Sequence, residues 1–112
     1  MKEIKFVCCF GKQRSPTASD RFNHLLEEEG LKDFYKADFL SIRQTKRNKK
    51  GVERAYKVVA LDPVARGILF RNFPDLIGSK RFEYFPLPRL RRRNSEDLIK
   101  KIEEYYYSER WA

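Results

Sequence analysis

The stretch that most limits how this chain can fold is Val7-Cys8-Cys9-Phe10-Gly11-Lys12-Gln13-Arg14-Ser15-Pro16. It continues the run Ile4-Lys5-Phe6, so residues 4–9 read as a buried strand. A Gly-containing loop follows, and Pro16 suits the first turn of a helix. A strand, a tight loop and a helix start together make a ring of backbone N–H groups with the positive end of a helix dipole behind it. Such a ring binds a tetrahedral oxyanion. Cys8 stands at the strand end, Arg14 follows at C-x5-R spacing, and Ser15 is its neighbour. Positive partial charge around the thiol favours the thiolate, the form of cysteine that attacks.

The rest of the chain supplies the sheet that such a loop needs. Residues 15–29 read as a helix capped at Ser15 or its neighbour, with Ala18, Phe22, Leu25 and Leu26 on its buried face. Gly30 suits a left-handed stop. Residues 33–40 read as a second strand, 56–61 as a third and 81–85 as a fourth. The polar, basic segment 41–54 reads as a loop with a short helix in it. Asp62-Pro63 reads as a helix cap and first turn, with Val64, Ile68 and Leu69 facing inward up to Phe73. After the Pro- and Arg-rich residues 86–93, Asn94 or Ser95 caps a last helix whose apolar stripe is Leu98, Ile102, Tyr105 and Tyr106. Glu96 and Asp97 favour its dipole. Alternating strands and helices imply an α/β fold: a single three-layer domain over residues 1–112, with a four-stranded parallel sheet and helices on both faces. Ligands in such sheets bind beyond the carboxyl ends of the strands at a switch point, which is where the loop after the first strand lies.

Composition bounds the partners. The 112 residues carry 25 Lys and Arg against 16 Asp and Glu, a formal net charge of +9, which favours an anionic partner. No apolar run approaches the ~20 residues of a membrane span, and the first residues lead straight into a strand without a signal-peptide pattern. The expectation is a cytoplasmic protein, a monomer or weak dimer. Adjacent cysteines are a poor pair for a structural disulfide, and with a single remote His24 they are too few for a zinc site, so no metal site is expected.

From Cys8 to Asp20 the sequence resembles the low-molecular-weight protein tyrosine phosphatases, in particular short prokaryotic members, whose loop continues as Arg14-Ser15-Pro16-Thr17-Ala18 does here. Val58-Val59-Ala60-Leu61-Asp62 is similar to the family's third strand. Phe85-Pro86-Leu87-Pro88 is similar to the start of its acid-bearing loop, while residues 41–54 match poorly. The resemblance implies a phosphate-monoester hydrolase without cofactor, acting on a phosphorylated protein or other phosphate monoester. Cys8 would be the nucleophile that forms a cysteinyl-phosphate. Arg14 would clamp two phosphate oxygens with its planar fork. Ser15 would hydrogen-bond the thiolate and help it leave. The backbone amides of Cys9, Phe10, Gly11, Lys12, Gln13 and Arg14 would hold the remaining oxygens.

Two positions depart from the family pattern. Gly11 stands where the family usually has Asn; glycine reaches positive φ without strain but brings no side-chain hydrogen bond. Arg89 stands where the family has its general-acid Asp, and Leu90 to Arg93 offer no carboxylate. Glu96 and Asp97 are the nearest candidates to reach in. An absent general acid costs about 10²–10⁴-fold in rate.

Plainer readings compete at each position. Cys9 reads as a small buried hydrophobe rather than a redox partner. His24 reads as structural or solvated. Lys12 either leans on the bound anion or faces solvent. The arginines at 89–93 read as substrate recognition against a solvated loop, and the basic residues 43–54 as a solvated loop. The alternative function is a catalytically weak phosphate- or polyanion-binding module that docks a phosphoprotein or nucleic acid. An arsenate reductase, which uses a similar loop, needs more cysteines than Cys8 and Cys9.

Overall fold

The computed structural model describes residues 2–9, 14–87 and 96–108. Chain order is β1 (Lys2–Cys8), α1 (Arg14–Glu28), β2 (Tyr35–Ser41), α2 (Ile42–Arg47), α3 (Lys49–Arg54), β3 (Lys57–Ala60), α4 (Pro63–Asn72), a 3-10 turn (Pro74–Leu76), β4 (Phe82–Tyr84) and α5 (Glu96–Ser108). The four strands form one sheet of order β2-β1-β3-β4, every pair parallel, as the alternation of elements implies.

Period-two alternation sorts side chains onto the two faces of this sheet. Ile4, Phe6 and Cys8 of β1, with Val59 of β3, join Phe22, Leu25 and Leu26 of α1 and Leu98, Ile102, Tyr105 and Tyr106 of α5 in one core cluster. Val7 of β1 and Val58 and Ala60 of β3 join Val52, Ala65 and Leu69 from α3 and α4 in the other. Phe22 is the aromatic centre of the first cluster. Its ring lies 5.5 Å from Phe6 and 5.0 Å from Tyr106, both edge-on. Burial of such a ring is worth about 1.5–3 kcal/mol, so the α1–β1–α5 contact holds one layer on the sheet.

Local expectations meet the structure unevenly. Gly30 has φ 73° and ends α1 in the left-handed region. Asp62 caps α4 by accepting from the Ala65 N–H, with Pro63 in the first turn. Val64 is a correction: it is 54% exposed, because the inward stripe of α4 runs through Ala65 and Leu69 one turn apart. Segment 41–54 is also more ordered than a loop. Ser41 and Gln44 form a reciprocal capping box that starts α2, and the Asn48 side chain accepts from the Gly51 N–H to start α3. Thr45 and Val52 are fully buried beneath these two helices. Ser15, expected with its neighbour as the cap, lies inside α1, since that helix begins at Arg14. The cap expected at Asn94 or Ser95 lies outside the described residues.

Candidate active site

β1 ends at Cys8 and α1 begins at Arg14, so residues 9–13 make the whole connection. The chain leaves central β1 toward β2 through α1 on one face. It later leaves β3 toward β4 through α4 on the other. The switch point therefore lies between the carboxyl ends of β1 and β3, and Cys8 stands at it. Its side chain is 2% exposed, while Cys9 is half-buried. Arg14 and Ser15 open α1, whose N-terminal dipole end faces the strand end.

The structure adds a residue to this place that the sequence reading had assigned only to a helix cap. Asp62 follows β3 and is 4% exposed. Its Oδ1 accepts from the Ala65 N–H at 2.7 Å, and its Oδ2 accepts from the Cys9 N–H at 2.8 Å. One carboxylate thus ties the first amide after Cys8 to the start of α4, across the switch point. The Cys9 amide, expected to face an anion, is directed at Asp62 instead. The missed signal is positional. A cap at the end of β3 is a neighbour of β1's end, since Leu61 N–H donates to the Val7 carbonyl at 2.9 Å.

A second segment arrives at the same edge. Phe85 N–H donates to the Ala60 carbonyl at 2.9 Å and Leu87 N–H to the Leu61 carbonyl at 3.0 Å. Leu87 is buried in the cluster that contains Cys8. The chain that carries Arg89 therefore sets out from beside the ends of β1 and β3. Phe10, Gly11, Lys12, Gln13 and Arg89 themselves lie outside the described residues, as do Arg91, Arg92 and Arg93. Glu96 and Asp97 are exposed in the first turn of α5. His24 is paired with Glu28 at 2.8 Å on the open side of α1, a solvated role. Among the described residues no three His, Cys, Asp or Glu side chains gather as metal ligands. None of the described helices is long and apolar enough to cross a membrane.

No protein-family model and no curated protein matches the chain in sequence. Solved structures match it in three dimensions. YfkJ from Bacillus subtilis superposes with a TM-score of 0.72 at 17% identity, covering 96% of this chain and 94% of that one. The low molecular weight protein tyrosine phosphatase from T. tengcongensis gives 0.69 at 15% identity, covering 96% and 94%. SP-PTP, the low molecular weight protein tyrosine phosphatase from Streptococcus pyogenes, gives 0.69 at 12% identity, covering 96% and 93%. At these identities the likeness is one of backbone path over nearly the whole of both chains. With its parallel β2-β1-β3-β4 sheet and a loop between β1 and α1 at the switch point, this chain has the fold of the low-molecular-weight protein tyrosine phosphatases.

Proposed function

We propose that the chain is a phosphate-monoester hydrolase of the protein tyrosine phosphatase type that works through a cysteinyl-phosphate. The observation that supports this most is the thiol of Cys8, buried at the switch point at the end of β1 and one short connection from the start of α1. In the first step Cys8 Sγ attacks phosphorus. The P–S bond forms as the P–O bond to the leaving group breaks, and the leaving oxygen departs with the bonding pair. Arg14 holds two of the equatorial oxygens as a planar fork, and the amides of residues 10–14 hold the rest. In the second step water attacks phosphorus, the P–S bond breaks, inorganic phosphate leaves and the thiolate returns. Ser15 stabilises that departing thiolate. No cofactor enters either step. The substrate is a phosphorylated protein or another phosphate monoester, met in the cytoplasm by a monomer or weak dimer.

Arg89 makes the first step slow. It occupies the place of the acid that protonates the leaving oxygen in the resembled family, and that assistance is worth about 10²–10⁴-fold. The same residue favours the second reading, a phosphate-binding module with little turnover. One assay separates them: hydrolysis of an aryl phosphate by wild type and Cys8→Ser, with acid-quench trapping of phosphoenzyme. Turnover and a trapped phosphocysteine in wild type alone are expected. Phosphate binding with no turnover in either protein selects the binding module.

A further inference from the structure

A second cationic site lies at the other end of the sheet. A cavity of about 560 Å³ is lined by Lys2, Glu3, Asn48, Lys50, Arg54 and Tyr56. Lys2 opens β1 and Cys8 closes it, so the cavity is about 20 Å from Cys8 at the strand rise per residue. It cannot share a phosphate group with the loop after β1.

The charge around it is unusual for this molecule. Elsewhere Lys5 is neutralised by Glu3 at 2.9 Å and Asp38 at 3.1 Å, Arg21 by Glu103 at 3.0 Å, and Lys57 by Glu83, while the part-buried Arg81 donates to the Ala55 and Val52 carbonyls. Arg43, Lys46, Arg47, Lys49, Lys50 and Arg54 are carried on α2 and α3, where Glu53 is the single acid. Among the described residues none of these cations has a carboxylate partner within ion-pair distance. The acid in the cavity wall, Glu3, is already committed to Lys5. Two short helices held by caps thus present uncompensated positive charge that continues past the cavity.

Aromatic surface accompanies the charge. Tyr56 is 37% exposed in the cavity wall, with the Lys2 ammonium 4.8 Å from its ring centre. Phe34 is 62% exposed, and its carbonyl receives the Lys2 N–H at 2.9 Å, which places it at the same end of the sheet. Cations that track a phosphate backbone beside exposed rings on which bases stack are the elements of single-strand recognition. We infer that this end of the molecule binds single-stranded nucleic acid, with Lys2, Lys50 and Arg54 on its phosphates and Phe34 under a base. A duplex keeps its bases stacked inside and leaves Phe34 unused, and a free nucleotide leaves the charge beyond the cavity unused.

The test is fluorescence anisotropy with a labelled oligouridylate of about 16 nucleotides, a duplex of equal length, and UTP. Three cations engaged on a single strand give a log K against log salt slope of about −2, so affinity drops about 16-fold between about 50 and 200 mM salt. The triple variant Lys2→Gln, Lys50→Gln, Arg54→Gln flattens that slope and weakens binding about tenfold or more; all three side chains are exposed, so the fold is kept. Phe34→Ala weakens binding about tenfold. Arg14→Ala leaves binding intact, so this inference and the phosphatase reading fail separately. The inference is overturned if the duplex or UTP binds as tightly as the strand. It is also overturned if Arg71→Gln, Lys80→Gln, Lys100→Gln weakens binding as much as the triple variant, or if Arg14→Ala abolishes it.

Discussion

Asp62 is the single residue on which two elements of the site depend, and its two oxygens separate by substitution. Serine at this position keeps a cap for the Ala65 N–H, because one short-reach oxygen suffices there. It does not reach the Cys9 N–H, so the loop after Cys8 loses a charge-assisted anchor worth about 1.5–3 kcal/mol. Vanadate affinity is expected to fall about tenfold in Asp62→Ser, and the melting temperature by about 5–10 °C. Electrostatics alone gives the opposite sign, since removal of a carboxylate beside an anion site strengthens anion binding. Calorimetric titration that shows equal or tighter vanadate binding in Asp62→Ser therefore refutes the anchoring role. Arg89 sets a second prediction at this scale. Without a proton donor the rate follows the stability of the leaving anion, so aryl phosphates with acidic phenols are cleaved far faster than phenyl phosphate. A steep dependence of log kcat/KM on leaving-group pKa is expected in wild type, flattening in Arg89→Asp. A flat wild-type dependence means that a carboxylate elsewhere, with Asp97 and Glu96 first in line, delivers the proton.

At the scale of elements, α5 carries a pH signature. Burial, with the charges of Glu29 and Tyr107 nearby, pushes the Tyr106 hydroxyl up from its ordinary value of 10.0 to about 12. The folded state thus holds the proton more tightly than the unfolded chain. Tyr106 contributes its stability in full below about pH 10, and that contribution is lost as pH rises from 10 to about 12. Thermal melts across this window should show a steeper decline for wild type than for Tyr106→Phe, which has no hydroxyl to ionise. Parallel declines would mean that α5 does not feel the ionisation. The α2–α3 pair shows how much order short caps can impose. Neither six-residue helix is stable by propensity, yet the Ser41–Gln44 box, the Asn48 cap and the buried Thr45 and Val52 hold both in place. The Ser41-Ile42-Arg43-Gln44 pattern of a capping box was legible in the residues, but the density of basic side chains around it argued for a loop.

For the whole molecule, the proposed site predicts a coupling between anion binding and stability. A ligand that binds only the folded chain adds about 2.7 kcal/mol at a hundredfold excess over Kd. For a domain of this size that raises the melting temperature by about 10 °C. Phosphate or vanadate should produce that shift in wild type and none in Arg14→Ala. An equal shift in both places the anion site elsewhere, with the cationic end of the sheet the first alternative.

Periodicity and punctuation alone determined the order along the chain of the four strands and of α1, α4 and α5 among them, the parallel sheet and the inward faces of α1 and α5. Those properties depend on residues a few positions apart: Ala18, Phe22 and Leu25 share a face because a helix repeats every 3.6 residues, whatever lies opposite. The apolar run from Ile4 likewise placed Cys8 at the end of a strand, one residue short of the expected end at Cys9. What the tertiary structure decided involves partners far apart in the chain. Asp62 and Cys9 are separated by 53 positions, and their bond exists only because β3 lies beside β1. Val64 against Ala65 as the inward residue of α4 depends on how that helix is rotated over the sheet, which both apolar positions permit. Lys50 and Arg54 meet Lys2 only because the order β2-β1-β3-β4 returns the chain from α3 to the start of β1, where the Tyr56 N–H donates to the Glu3 carbonyl at 2.8 Å. Local pattern carries no record of strand order, so contacts that cross the sheet had to wait for the fold.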